Sequence, residues 1–247
     1  MKIAFLADVH AVREALEVCL ADAARRGAER LVFLGDLVGY GADPAWVVDT
    51  VRREVERGAV ALLGNHDSAV VQQLRRRMHA DAQEAISWTR GRLDDEQLAF
   101  LAGLPLTVED EDRLYVHANA WSPAWFEYIL AAVDARRSLD ATRARHTFFG
   151  HVHEPALYHQ GPTGRVEAFT PVPGVAIPFG MRRRLLANPG AVGQPRDGIP
   201  ASSYAIYDTA TGDLTYHRVP FDIDTAARKI SEAGLPEWFG TRLGQGR

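Results

Sequence analysis

"LLGNHDSAV", residues 62–70, decides how this chain is read. An apolar run ends on Gly64, and an amide, an imidazole and a carboxylate follow in Asn65, His66 and Asp67. A turn after a strand needs a glycine or an asparagine and none of the rest. Two earlier stretches end alike. "KIAFLADVH" (2–10) runs through an apolar segment to Asp8 and His10, and "RLVFLGD" (30–36) runs to Asp36. Between these stretches, Val12 to Arg26 and Pro44 to Glu56 carry helical patterns, the second with proline suited to a first helical turn. Asp8, Asp36 and Asn65 stand 28 and 29 residues apart, one strand–helix unit each. That alternation predicts right-handed crossovers and a parallel sheet in an α/β chain. The carboxyl ends of parallel strands open on one crevice, so the three polar endings converge there.

Residues 67–102 read as mostly helical, with an acidic start at Asp94-Asp95-Glu96. After Pro105 the pattern changes. "RLYVHA" (113–118), "HTFFGHVH" (146–153), "PALYH" (155–159), "RVEAF" (165–169), "RLLANPG" (184–190), "SYAIYD" (203–208) and "LTYHRV" (214–219) predict short strands in a second, mixed or antiparallel sheet. Two of them end on imidazoles, at His117 and at His151 and His153. A last helix is expected over Asp222 to Ala233. Nothing repeats and no linker interrupts the pattern, so 1–247 is expected to form a single domain.

With 247 residues, 47% hydrophobic and 24% charged, the composition is globular. A net charge of −4 and no evident basic groove disfavour nucleic acid or an anionic membrane as partner. Arginine runs at Arg52-Arg53, Arg75 to Arg77 and Arg182 to Arg184 read as solvated helix faces or strand ends. The single Cys19, flanked by Ala15, Leu16, Val18 and Leu20, reads as a buried helical thiol, which suits a reducing compartment. The apolar start is too short for a signal peptide, and no stretch approaches the roughly 20 apolar residues of a membrane span. A soluble, cytoplasmic protein is expected, with a homo-oligomer left open.

The strand-end residues suit one task. Two carboxylates (Asp8, Asp36), one amide oxygen (Asn65) and four imidazoles (His10, His117, His151, His153) can enclose a pair of borderline divalent cations. The imidazole content favours Mn, Fe, Zn, Ni or Co over a site built for Mg or Ca. Asp-x-His and His-x-His place two ligands on the same side of an extended strand end. Each fragment alone is a weak signal; five at strand ends make a strong one.

The ordered set D-x-H, G-D-x-x-G-Y-G, G-N-H-D, a strand-end histidine and G-H-x-H resembles the calcineurin-like metallophosphoesterases, in particular their small bacterial phosphodiesterases and phosphatases. The resemblance runs from Lys2 to His153 and continues into "ANPGAVGQPRDG" (187–198). It implies a four-layer α/β/β/α sandwich of two mixed sheets flanked by helices, with two metals at one end. Asp8, His10, Asp36 and His153 would hold one metal; Asp36 would bridge to a second, completed by Asn65, His117 and His151. His66 would face the substrate and protonate the leaving group. Asp67 would cap the following helix or orient its neighbours. The implied reaction is hydrolysis of small phosphodiesters or nucleotides by direct attack of a metal-bound hydroxide. A phosphomonoesterase, including one acting on phosphoproteins, is the alternative within the same chemistry, with a nuclease third. A non-catalytic scaffold of this fold is the alternative outside it.

The chain departs from the family pattern in three places. Protein phosphatases of this group carry Asp-Arg where Gly39-Tyr40 stand, which disfavours phosphoproteins. Ala11-Val12 replaces a common Gly-Asn, and Ala191 stands where a serine is common.

Overall fold

Both faces of the first strand are apolar, and the structure uses both. The computed structural model describes residues 1–72, 80–178 and 183–247. In β1 (Lys2–Leu6), Ala4 and Leu6 point to one side and Ile3 and Phe5 to the other, all fully buried. A strand buried on both faces reads as a continuous apolar run rather than an alternating one, which is why "KIAFLA" has no polar face.

The first sheet has the order β3 (Val60–Ala61), β2 (Arg30–Phe33), β1, β11 (Ser202–Asp208), β12 (Asp213–Val219) and β9 (Ala176–Pro178). The second runs β4 (Thr107–Asp110), β5 (Arg113–Val116), β6 (His146–Phe148), β10 (Arg184–Pro189), β7 (Pro155–Gln160) and β8 (Val166–Phe169). Ile3 and Phe5 meet Tyr115 and Phe148 between the sheets. Ala4, Leu6 and Phe33 face the helices α1 (Arg13–Arg25), α2 (Pro44–Glu56), α3 (Asn65–Gln72), α4 (Ala80–Arg90), α5 (Asp95–Ala102), α7 (Ile223–Glu232) and α8 (Glu237–Gln245). On the far side Ala135 and Leu139 of α6 (Ala132–Asp140) pack on Val116, Phe149 and Leu186. The result is a four-layer sandwich of two mixed sheets between helices, as the resemblance implied. Among the described residues no helix is long and apolar enough to cross a membrane.

The sheet memberships differ from the sequence expectation in one respect. The stretches 203–208 and 214–219 belong to the first sheet, not the second. β2 occupies one edge of β1, and the other edge presents buried N–H and C=O groups that need partners. β11 supplies them in antiparallel register, with Ile3 opposite Tyr207 and Phe5 opposite Ala205. The first sheet is therefore parallel only over β3, β2 and β1. The third strand is short: after Leu62 N–H donates to the Phe33 carbonyl, Leu63 N–H turns to Pro105.

β4, β9, α6 and α8 were not expected from the sequence. β4 ("TVED") is half acidic, and α6 ("AVDARRSLD") buries only Ala135, Ser138 and Leu139, so neither announces itself by pattern. Arg184 is no solvated strand end either: its guanidinium donates to the carbonyls of Leu139, Thr142 and Ala144. Arg75 to Arg77, Arg182 and the part of the expected helical stretch at 73–79 lie outside the described residues. Cys19 is buried in α1, and burial pushes its thiol up to about 12.

Phe5 stacks on Phe148 with ring centroids 3.7 Å apart and meets the edge of Tyr115 at 5.4 Å. Phe5→Ala is expected to cost about 3–5 kcal/mol, the usual range for deleting a buried aromatic ring. Urea unfolding of the two proteins checks this.

Candidate metal centre

Beyond β1, β2 and β6 the backbone turns left-handed at residues that are not glycine. Asp8 (φ 55°), His10 (50°), Asp36 (52°), His151 (68°) and His153 (66°) all do so. Each such residue costs on the order of 1–3 kcal/mol, and such strain clusters where a fold must aim side chains at one point. Backbone bonds hold the turns. Asp8 N–H donates to Gly35 at 3.1 Å, His10 N–H to Asp36 at 3.0 Å, and Gly150 N–H to His117 at 2.8 Å. The segment after β10 closes over them, with Gly193 N–H donating to the Asp8 carbonyl at 3.0 Å.

These turns bring all eight residues singled out from the sequence to one crevice, in two groups. Asp8, His10, Asp36 and His153 present ligand atoms within 4.8 Å of one another, and so do Asp36, His117 and His151. Asp36 belongs to both. Its Oδ1 accepts from the His66 N–H at 2.8 Å, at the start of α3, while Oδ2 lies 3.7 Å from His10 Nε2 and 3.5 Å from His117 Nε2. Asn65 Oδ1 joins the second group, 3.0 Å from His117 Nε2. The Asp8 carboxylate accepts from the His151 N–H.

The imidazoles are oriented from behind. His10 Nδ1 donates to the Val38 carbonyl at 3.2 Å, His117 Nδ1 to Leu34 at 2.8 Å, and His153 Nδ1 to Gln194 at 2.7 Å. A carbonyl only accepts, so Nδ1 carries the hydrogen and Nε2 is left to face the crevice with its lone pair. His10 Nε2 and His153 Nε2 stand 3.1 Å apart, and burial holds both rings well below the usual histidine range, hence neutral. Two facing lone pairs have no hydrogen to share. His151 Nε2 is buried with no hydrogen-bond partner at all.

The carboxylates make the same demand. Burial, reinforced by Asp36, pushes Asp8 up to about 7. Burial acts on Asp36 too, but the imidazoles of His117 and His66 outweigh it and hold that carboxyl well below the usual range. His117 is raised to about 9 because Asp36 outweighs its burial. Two buried acids and the inward lone pairs of His10, His151 and His153 require positive charge between them, and protons, such as the one on His117, satisfy only part of that need. The donor set fits divalent cations, and Asp36 belongs to both groups that could hold one.

His66 stands apart from both groups. It is 5% exposed, its ring lies 4.8 Å from that of His10 and 4.5 Å from that of Tyr40, and its Nδ1 has no hydrogen-bond partner. Gly39 makes the space: at φ 91° it turns left-handed, and a Cβ there would stand 2.5 Å from His66 Nδ1. An aspartate at this position cannot be accommodated without moving His66. Asp67 serves as brace, its carboxylate accepting from Gly64 N–H at 2.9 Å and Val38 N–H at 3.1 Å. The first bond caps the start of α3; the second ties that helix to the loop after Asp36.

Several neighbours had no role assigned from the sequence. Asn188 donates to the Gly150 carbonyl at 2.8 Å and steadies the G-H-x-H turn. Asn119 bonds the Glu127 carbonyl and the Ser122 N–H, shaping the loop that lays Tyr128 flat on His151 at 4.0 Å. Tyr40 packs on His10 and His66, and the Arg196 backbone N–H donates to the His153 carbonyl. Asn119 follows His117 by two residues, the same spacing as D-x-H and H-x-H, and that was the available signal. Asn188 and Arg196 sit in "ANPGAVGQPRDG", where the stretch stood out but not the individual side chains; Tyr40 was noted only as a departure from the family pattern, and nothing marked Tyr128.

Comparison with known proteins agrees with this geometry. The model of the calcineurin-like phosphoesterase superfamily domain matches residues 1–212. An uncharacterized protein of Methanocaldococcus jannaschii is 34% identical over 99% of this chain and 98% of its own length. The crystal structure of a metallophosphoesterase from Sphaerobacter thermophilus superposes with a TM-score of 0.89 at 37% identity, covering 100% of this chain and 99% of that one. A hypothetical protein from Pyrococcus horikoshii shares the fold at a TM-score of 0.80 and 17% identity, over 100% and 98% of the two chains.

Gly64 offers a test of the packing. A Cβ there would lie 2.1 Å from the Asp36 backbone nitrogen and 2.2 Å from its Oδ1, so Gly64→Ala must displace Asp36. Added Mn or Zn should raise the melting temperature of the parent protein by binding its folded state. The rise should be lost in Gly64→Ala and kept in Gly244→Ala, where nothing stands within 4 Å of the added carbon.

Proposed function

This chain belongs to the calcineurin-like phosphoesterase superfamily, and within it we propose a hydrolase of small phosphodiesters or nucleotides that depends on two divalent transition-metal ions. The observation that carries this reading is the sharing of Asp36 between two buried ligand groups at one crevice, with His66 beside them and outside both. Asp8, His10, Asp36 and His153 would hold one cation, and Asp36, Asn65, His117 and His151 the other. Such a pair, when bound, supplies Lewis acidity: it acidifies water and neutralises charge on a phosphoryl group.

The chain's own residues account for the rest. Asp36 offsets the repulsion between two neighbouring cations by presenting one carboxylate to both. The Nδ1 hydrogen bonds of His10, His117 and His153 keep each Nε2 aimed inward through the reaction. Burial outweighs the opposing charge of Asp36 and pushes His66 down to about 4, so without substrate the ring is neutral. A phosphate ester entering the crevice brings negative charge that favours the imidazolium, and the proton is then delivered where the leaving oxygen departs. The absence of a side chain at Gly39 supports small esters over phosphoproteins, because among the described residues no carboxylate is bonded to His66 Nδ1.

Two substitutions separate the roles. Asp36→Ala should reduce occupancy of both cations, measured by elemental analysis; two tightly held metals in that variant would remove Asp36 from the bridging role. His66→Ala should keep both metals and lose roughly 10²–10⁴-fold in rate, the range for a positioned proton donor. Nitrophenyl esters, whose leaving group departs without a proton, should suffer least, and alkyl or ribosyl esters most. Equal losses for both ester types, or a missing metal, would show that His66 is not the acid.

A further inference from the structure

Arg196 holds its guanidinium at the crevice with no acidic partner among the described residues. It lies in the segment that closes over the strand ends, and its N–H donates to the His153 carbonyl at 3.3 Å. Its Nη2 donates to Gln194 Oε1 at 3.3 Å, the Tyr40 hydroxyl lies near enough to feel its charge, and its Nε is buried with no partner among the described residues. Among the described residues no carboxylate lies within 4.0 Å of it. The adjacent Asp197 is paired instead with Arg218.

Asp8 favours the charge of Arg196 from a distance, but the imidazole neighbours do not. The charge of Arg196 is felt by His10, His66 and His153, and divalent ions at the ligand groups would repel it further. A second arginine lies close by. Arg242 comes from α8, whose Phe239 packs on Tyr40 at 4.9 Å and whose end is tied to the Arg196 segment by a bond from Gly198 N–H to the Gly246 carbonyl. Burial, and then the charge of Arg196, push Arg242 down to about 10. A guanidinium kept for structure would be ion-paired with Asp8 or Asp36; this one acts on Asp8 only from beyond ion-pair distance, bonds the neutral Gln194 and leaves a buried N–H unused. A fork with free donors beside a cationic centre suits an oxyanion with several equivalent oxygens.

Resting on the phosphoesterase reading above, we propose that Arg196 binds the non-bridging oxygens of the substrate's phosphoryl group, with Tyr40 and Gln194 holding the guanidinium in place. Tyr40 then serves as a positioning residue, acting through Arg196.

The test is calorimetric titration of inorganic phosphate into Mn-loaded protein, with metal content and melting temperature measured on the same samples. Arg196→Ala should weaken phosphate roughly 10- to 100-fold, the usual loss for charge-assisted hydrogen bonds. Arg196→Lys should recover part of that loss, and Tyr40→Phe should show a smaller one. Metal content should match the parent in all three. In turnover of a nitrophenyl diester, Arg196→Lys should raise KM more than it lowers kcat. Phosphate affinity unchanged in Arg196→Ala and Arg196→Lys would overturn the assignment, as would a parent protein that binds no phosphate at millimolar concentration. Metal loss in step with phosphate affinity would make Arg196 a structural counter-charge and overturn it as well. Should Arg196→Ala fail to fold, Arg196→Lys and Tyr40→Phe decide by the same readings. A parent that binds phosphate through Arg196 yet hydrolyses no ester would refute the phosphoesterase reading and leave this assignment standing.

Discussion

The Asp36 carboxylate is fixed on one side by the His66 N–H and faced on the other by two imidazoles, with almost no solvent. A buried acid so placed is tolerable only if every neighbour is arranged around it. Gly64 must lack a side chain because the carboxylate occupies that volume, and a Cβ at Gly35 would stand 2.8 Å from His117 Nδ1. The left-handed turns at Asp8, His10 and Asp36 follow from the same crowding. Local conformational energy is given up so that several polar groups converge on one small volume.

The sandwich makes that concession possible. The strands that aim Asp8, His10 and Asp36 lie in one sheet, and those that aim His117, His151 and His153 in the other. Stacked aromatic rings between the sheets fix the distance between the two sets. The segment 187–198 bonds to both: Val192 and Gly193 reach the end of β1, while the Gln194 carbonyl orients His153. Ligand positions drawn from two sheets are only as rigid as the apolar layer that joins them, and here that layer is aliphatic with a cluster of aromatic rings.

The same arrangement separates positioning from chemistry. His10, His117 and His153 are each held from behind by a backbone carbonyl, which favours a fixed inward lone pair. His66 has no such partner. It packs on Tyr40 and His10 through its ring faces and edges and keeps Nδ1 unbonded. An imidazole without a fixed tautomer is suited to carry a proton, whereas one bonded to a carbonyl is suited to hold a metal.

The sequence by itself determined the strand–helix alternation of the first 64 residues, the helix at Pro44–Glu56, the four-layer class through the resemblance, and the eight polar residues that meet in the crevice. These are legible because apolar periodicity is local, and because side chains at strand ends inherit their position from the sheet. The tertiary structure alone decided that β11 and β12 join the first sheet, since the choice depends on which edge of β1 is left unpaired. It alone decided that α6 and α8 form: their short, mostly polar sequences are helical because a few apolar residues find a prepared surface. Arg196 and Tyr40 were likewise beyond the sequence. An arginine after a proline and a tyrosine between glycines look like surface residues, and only the fold, across a separation of 156 positions, brings a guanidinium and a hydroxyl near each other beside the crevice.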